Sequence, residues 1–106
     1  RNKYNYDLLI YVANWPEKRI QAWDTLLKAR AIENMCYCLG VNRVGNDGNN
    51  KTYPGHTVFF NYLGDKVACS IEKKNNIIDF DFDKQEMISI REELEFLNDI
   101  DDFKFQ

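Results

Sequence analysis

A chain of 106 residues is the size of one domain, and 44% hydrophobic with 14% aromatic side chains is enough to bury a core, which excludes intrinsic disorder. A formal net charge of −3, with the acids crowded into the last quarter, leaves no basic face to follow a phosphate backbone, so no nucleic-acid partner is expected. The longest apolar run, Leu8 to Ala13, is far too short to cross a bilayer, and no apolar signal-peptide core is present; a cytoplasmic protein without membrane contact is expected.

Tyr6 to Val12 is nearly continuous in apolar residues, the pattern of a strand covered on both faces, and predicts a central strand. Asn14-Trp15-Pro16 ends it. Pro16 fits a first helical position, where its missing N–H removes no bond, and Glu17 suits the positive helix end. From Glu17 to Met35 the residues Ile20, Trp23, Leu27, Ala31 and Met35 recur every three or four positions, which predicts an amphipathic helix with Lys18, Asp24 and Lys28 off the stripe.

Cys36 to Val44 is again strand-like, and Gly45 to Asn50 is a dense run of turn formers that predicts an exposed loop. Thr57 to Tyr62, Val67 to Glu72 and Ile77 to Phe82 read as three further strands in two hairpins, broken at Gly64-Asp65 and at Lys73 to Asn76. Asp83 is placed to cap a last helix over Lys84 to Leu94, and the aromatic tail of Phe103 and Phe105 is expected to dock elsewhere. The order β-α-β-β-β-β-α is a mixed α/β layer structure. Two helices can hardly cover a sheet that needs cover on both faces, so the chain reads as half of a sheet system. That Arg1 is not an initiator methionine points the same way, to truncation, processing or excision.

Three cysteines, Cys36, Cys38 and Cys69, are an odd count in strand-like segments and are expected to be buried, reduced thiols. His56 is the single histidine, with no second one at metal-ligand spacing, so no metal site is expected.

The stretch Tyr6 to Pro16, followed by Trp23, Leu26, Leu27 and Ala29-Arg30-Ala31-Ile32-Glu33-Asn34, resembles the nitrilase superfamily of carbon–nitrogen hydrolases, in particular its omega-amidase-like branch. The resemblance continues through Gly40-Val41-Asn42-Arg43-Val44-Gly45, Asp47-Gly48, Gly55-His56-Thr57, Leu63-Gly64-Asp65 and Phe96-Leu97 to Asp102-Phe103, and so covers nearly the whole chain. It implies the C-terminal half of an α-β-β-α sandwich, residues 1–106 being the later part of a single domain. It also implies a Glu-Lys-Cys triad lying upstream, the cysteine a few residues before Arg1, so no catalytic residue falls within this chain and alone it is expected to be inactive. The implied activity is hydrolysis of a small-molecule amide through a cysteine thioester, with no cofactor and no metal. Its implied partners are the missing N-terminal half and further copies, as a homodimer or higher homo-oligomer. A non-catalytic structural or interaction fragment, and a carbamoyl-hydrolysing or ammonia-supplying member of the same superfamily, are the competing readings.

Against that background three residues are candidate substrate contacts. Asn14 and Trp15 stand at the carboxyl end of the first strand, where α/β proteins place their sites, and the corresponding loop of the family borders the nucleophile pocket. Asn14 either hydrogen-bonds substrate or caps the helix; Trp15 either walls the pocket or seals the helix start against the sheet. Arg43 either offers a fork of donors to an acidic substrate's carboxylate or braces its loop. Arg30 and Glu33 are expected to form a structural ion pair, and His56 to brace its turn. The acidic tail from Glu92 to Asp102 reads as a solvated face or as an interface with a neighbouring subunit.

Overall fold

The order of apolar residues along the chain is largely realised in a computed structural model, which describes residues 3–106; Arg1, on which the expectation of an excised start rests, lies outside the described residues. Leu8–Ala13 forms β1, and after a 3-10 turn at Glu17–Arg19 the helix α1 spans Ile20–Asn34. β2 (Tyr37–Asn42), the short hairpin β3 (Val44–Asn46) and β4 (Thr52–Pro54), β5 (Val58–Phe60), β6 (Lys66–Cys69) and the helix α2 (Lys84–Leu94) follow. β1 and β2 run parallel, from Leu8 opposite Tyr37 to Ala13 opposite Asn42, while β5 and β6 add antiparallel strands in the order β1-β2-β5-β6.

α1 covers one face of this sheet with the predicted stripe. Trp23, Leu27 and Ala31 are buried and pack on Cys38, Val58 and Phe60, and burial of each larger side chain contributes roughly 1.5–3 kcal/mol. The approach is close because Gly40 has no side chain: a Cβ there would overlap the Leu27 Cδ1 and the Trp23 ring. Met35 ends the helix at φ 46°, an uncommon left-handed position for a residue other than glycine. It is held there by N–H bonds from Met35 to the Ile32 carbonyl (3.2 Å) and from Cys36 to the Ala31 carbonyl (3.2 Å).

On the opposite face a second cluster gathers Tyr37, Phe59, Tyr62 and Met87 of α2. Asp83 caps α2 as predicted, its Oδ1 accepting the Glu86 N–H at 2.8 Å. Arg91 docks the helix, donating to the Met35 carbonyl (2.7 Å), the Tyr6 carbonyl (2.9 Å) and Asp7 Oδ1 (2.9 Å), while Lys84 pairs with Asp7 Oδ2 at 2.9 Å.

Four expectations are corrected. β1 is not central: among the described residues it lies at an edge of the sheet, and its residues on the face away from α1, Ile10 (53% exposed) and Val12 (80%), stand open. An apolar run signals a strand made to be covered, but residues 3–106 supply a covering helix on the α1 face only at this end. Gly45 to Asn50 is not a plain loop, because its first two residues pair with Tyr53 and Thr52 in the β3–β4 hairpin. Ile77 to Phe82 is not a strand: its alternation places Phe80 and Phe82 against Tyr37 and Phe59, with ring centroids 4.9–5.9 Å apart, so the aromatic rings are satisfied by packing and not by a ladder. Cys69 is exposed at the end of the last strand, whereas Cys36 and Cys38 are buried as expected. The tail rings of Phe103 and Phe105 are exposed and pack on each other at 5.4 Å.

Candidate functional site

The parallel ladder ends where Ala13 faces Asn42, and the chain of β1 then leaves the sheet through Asn14, Trp15 and Pro16. Backbone bonding continues one step further, from the Arg43 N–H to the Ala13 carbonyl at 3.4 Å. Beyond that the side chain of Asn42 takes over. Its Oδ1 accepts the Trp15 N–H at 2.7 Å and its Nδ2 donates to the Trp15 carbonyl at 2.9 Å. Asn42 is itself buried and fixed from the other side, since its N–H donates to Thr57 Oγ1 (3.1 Å) and Thr57 Oγ1 donates to its carbonyl (3.4 Å). The Thr57 N–H in turn donates to Ser70 Oγ at 3.1 Å, so the strand ends are linked laterally across the sheet.

Trp15 is half-buried. Its indole Nε1 donates to the Arg19 carbonyl at 2.6 Å, the Arg19 guanidinium lies 5.2 Å over its ring, and the ring leans on Trp23 at a centroid distance of 5.6 Å. The ring therefore has one orientation, fixed by the first turn before α1. Asn14 is exposed and does not cap that turn: the capping position is Pro16, with no side-chain bond to the helix start. The capping role expected as one option for Asn14 is thus replaced by the geometry of an entering 3-10 turn, in which the Arg19 N–H bonds the Pro16 carbonyl at 3.0 Å.

Arg43 lies next along β2 but in a different recess. Its guanidinium donates to the Asn46 carbonyl at 3.2 Å and sits 4.7 Å from the Tyr53 ring centroid, bracing the β3–β4 hairpin. It borders an open groove of about 440 Å³ with Val41, Asn42, Thr57, Ser70 and Lys74, which Asn14 and Trp15 do not line. Asn14 and Trp15 are neighbours in the chain and Arg43 is not brought to them; Asn42 bonds Trp15 and also borders the groove of Arg43. Asn42 as the link was missed in the sequence because an asparagine at a strand end carries no periodic signal; only its position opposite the last residue of β1 betrays it.

Other polar residues have local partners. The hairpin turn is folded on Asp47, whose Oδ1 accepts from the Asn49 and Lys51 N–H groups (2.8 and 3.0 Å) and whose Oδ2 accepts from the Tyr53 hydroxyl (2.9 Å). These bonds, the Lys51 N–H foremost, hold the Asp47 carboxyl below its ordinary range. His56, at φ 56°, accepts the Trp23 Nε1–H on its carbonyl at 2.8 Å and sets its ring Nδ1 3.2 Å from Asp24, tying its turn to α1. Arg30 and Glu33 pair on the exposed side of the same helix. Burial pushes the Cys36 thiol up to about 11 and the Cys38 thiol up to about 12, so neither supplies a thiolate near neutral pH. Among the described residues no group of three or more His, Cys, Asp or Glu side chains comes together to hold a metal, and no helix is long and apolar enough to cross a membrane. What this end of β1 offers is a half-buried indole of fixed orientation beside an exposed side-chain amide.

Comparison with known proteins gives this arrangement a context. The family model described as carbon–nitrogen hydrolase matches residues 3–92. The chain is similar to a protein of Yersinia enterocolitica named omega-amidase YafV, 41% identical over 103 residues, which is 97% of this chain and 40% of that relative. It is also similar to a 2-oxoglutaramate amidase of Bacillus subtilis, 32% identical over 94 residues, 89% of this chain and 36% of the relative. Among solved structures, the CN-hydrolase superfamily protein XC1258 of Xanthomonas campestris, described with an arsenic adduct in its active site, superposes with a TM-score of 0.90 at 36% identity, over 96% of this chain and 38% of that one. A carbon–nitrogen hydrolase of Helicobacter pylori superposes with a TM-score of 0.78 at 26% identity, over 91% and 38% of the two chains. The chain spans about 40% of the length of the first of these curated relatives. With its sequence matched over most of its length and its layered α/β fold shared, the chain belongs to the carbon–nitrogen hydrolase family.

Proposed function

We propose that the chain is the C-terminal part of one amidohydrolase domain that cleaves a small-molecule amide with release of ammonia, and that it supplies scaffold and pocket wall to that reaction. The observation that carries this reading is the 41% identity, over 97% of the chain and so through the Asn14-Trp15 loop, to a protein named omega-amidase. The open edge of β1 and its exposed Ile10 and Val12 support the larger domain, since an apolar strand of this kind gains stability only when it is covered.

In this reading the N-terminal part brings the glutamate, lysine and cysteine that the family resemblance implies. The cysteine thiolate attacks the amide carbonyl, and the lysine stabilises the oxyanion that forms. The C–N bond then breaks, the leaving nitrogen takes a proton from the glutamic acid and departs as ammonia, and a thioester remains. Water, losing its proton to the glutamate, hydrolyses that thioester to the acid and restores the thiol. Trp15 walls the pocket, Asn14 hydrogen-bonds the substrate, and Arg43 turns a donor not used by Asn46 toward a carboxylate, which suits the monoamide of a dicarboxylic acid. Neither a cofactor nor a metal takes part.

The test is ammonia release by the purified full-length protein from a five-carbon omega-amide acid, before and after alkylation of its reactive cysteine. Release that alkylation abolishes supports the reading. A full-length protein that releases no ammonia from any small amide, while remaining folded, overturns it in favour of a structural or interaction role. Mass in solution of the same preparation shows whether it acts as a dimer or larger assembly.

A further inference from the structure

We infer that Asn42 is a positioning residue of the amide-hydrolysing site: its side-chain amide acts as an added rung of the parallel sheet and sets the height and tilt of the Asn14-Trp15 loop. This rests on the function proposed above and goes beyond it by assigning a role to a residue that acts through its bonds to Trp15.

Three observations carry the inference. Trp15 has left the ladder, yet both of its backbone polar groups bond the same side chain, at 2.7 and 2.9 Å, in the two-way pattern by which a neighbouring strand would hold them. Asn42 is 6% exposed, so an unpaired amide there is costly and the arrangement has little freedom to drift. Thr57 fixes the Asn42 backbone on both sides, and Ser70 fixes Thr57, so the rung is anchored to the residue before β5 and the residue after β6 and not to the loop it holds. With the Trp15 backbone fixed by Asn42 and its indole fixed by the Arg19 carbonyl, the ring is preorganised and the chain position of the adjacent Asn14 is set.

A general structural role and a positioning role predict different kinetics. In the full-length protein Asn42→Ala should lower kcat/KM for an omega-amide by about 10-fold or more, chiefly through KM. In a background carrying Asn14→Ala and Trp15→Ala the same change should leave kcat/KM nearly unaltered while its effect on Tm persists. Asn42→Asp retains the acceptor for the Trp15 N–H but turns a carboxylate oxygen toward the Trp15 carbonyl. Its activity relative to wild type should therefore rise as pH falls and the carboxyl, once protonated, donates again.

Wild-type kinetics in Asn42→Ala, an equal kinetic loss in both backgrounds, or a flat Asn42→Asp ratio would each overturn the inference. Should Asn42→Ala not fold, the Asn42→Asp ratio decides alone. If the wild type itself releases no ammonia, the function reading fails separately. The link between Asn42 and the loop is then read from the 5-fluorotryptophan resonance of Trp15, which should shift in Asn42→Asp and whose constancy would dismiss the rung.

Discussion

Cys36 and Cys38 illustrate how far residue identity alone carries an argument. Two cysteines at alternate positions in a chain of the carbon–nitrogen hydrolase family invite a nucleophilic reading, but both are buried and both thiols are pushed far above the neutral range. At pH 8 only on the order of 0.1% or less of either is thiolate, so in the folded protein a thiol reagent should modify Cys69 and leave these two untouched, as peptide mapping after labelling would show. Cys38→Ser should keep catalysis in the folded protein yet lower stability by about 1–3 kcal/mol in urea unfolding, because a hydroxyl replaces a thiol in an apolar cluster with Trp23 and Leu27. Asn42 shows the converse. Its type and place were visible in the sequence, but its two bonds to Trp15 depend on the register that sets Ala13 opposite Asn42, which only pairing of distant segments determines.

Elements with a clear period were legible. The stripe of α1 and the Asp83 cap of α2 follow from local spacing, and both are present. Gly40 is the point on which α1 sits, so Gly40→Ala should cost about 1–3 kcal/mol by overpacking against Leu27 and Trp23, measurable as a lower urea midpoint without change in slope. Ile77 to Phe82 was misread because alternation of apolar residues marks one buried face whether the segment pairs with a strand or lays its rings on a cluster; here Phe80 and Phe82 do the latter. The docking of α2 adds a pH dependence. Bonding to Lys84 first, and then to Arg91, holds the Asp7 carboxyl below its ordinary value. A carboxyl lowered on folding contributes stability above its unfolded value of about 4, and that contribution is lost as pH falls through the folded one. Stability should therefore drop on acidification below about pH 4 by less in Asp7→Asn than in wild type; identical acid limbs in the two would remove Asp7 from the account.

At the scale of the molecule, the layered α/β class and the family were both within reach of the sequence, because the motifs from Tyr6 to Pro16 and from Gly40 to Gly45 lie in order along the chain. The place of β1 was not, since whether a strand is central depends on what pairs with its far side, and residues 3–106 leave that side open. The candidate site shares this character: Asn14 stands exposed where the chain leaves β1, Trp15 is half-buried against Trp23, and Arg43 borders the neighbouring groove. The claim that this edge is a pocket wall is tested most directly by Asn14→Ala in the full-length protein, assayed for ammonia release beside its thermal unfolding. Asn14 is exposed and caps no helix, so stability should stay within about 0.5 kcal/mol of wild type. A lost substrate hydrogen bond should meanwhile raise KM for the omega-amide by roughly 10-fold. A variant with wild-type KM and kcat, in a protein that does release ammonia, would place the pocket wall somewhere other than the carboxyl end of β1.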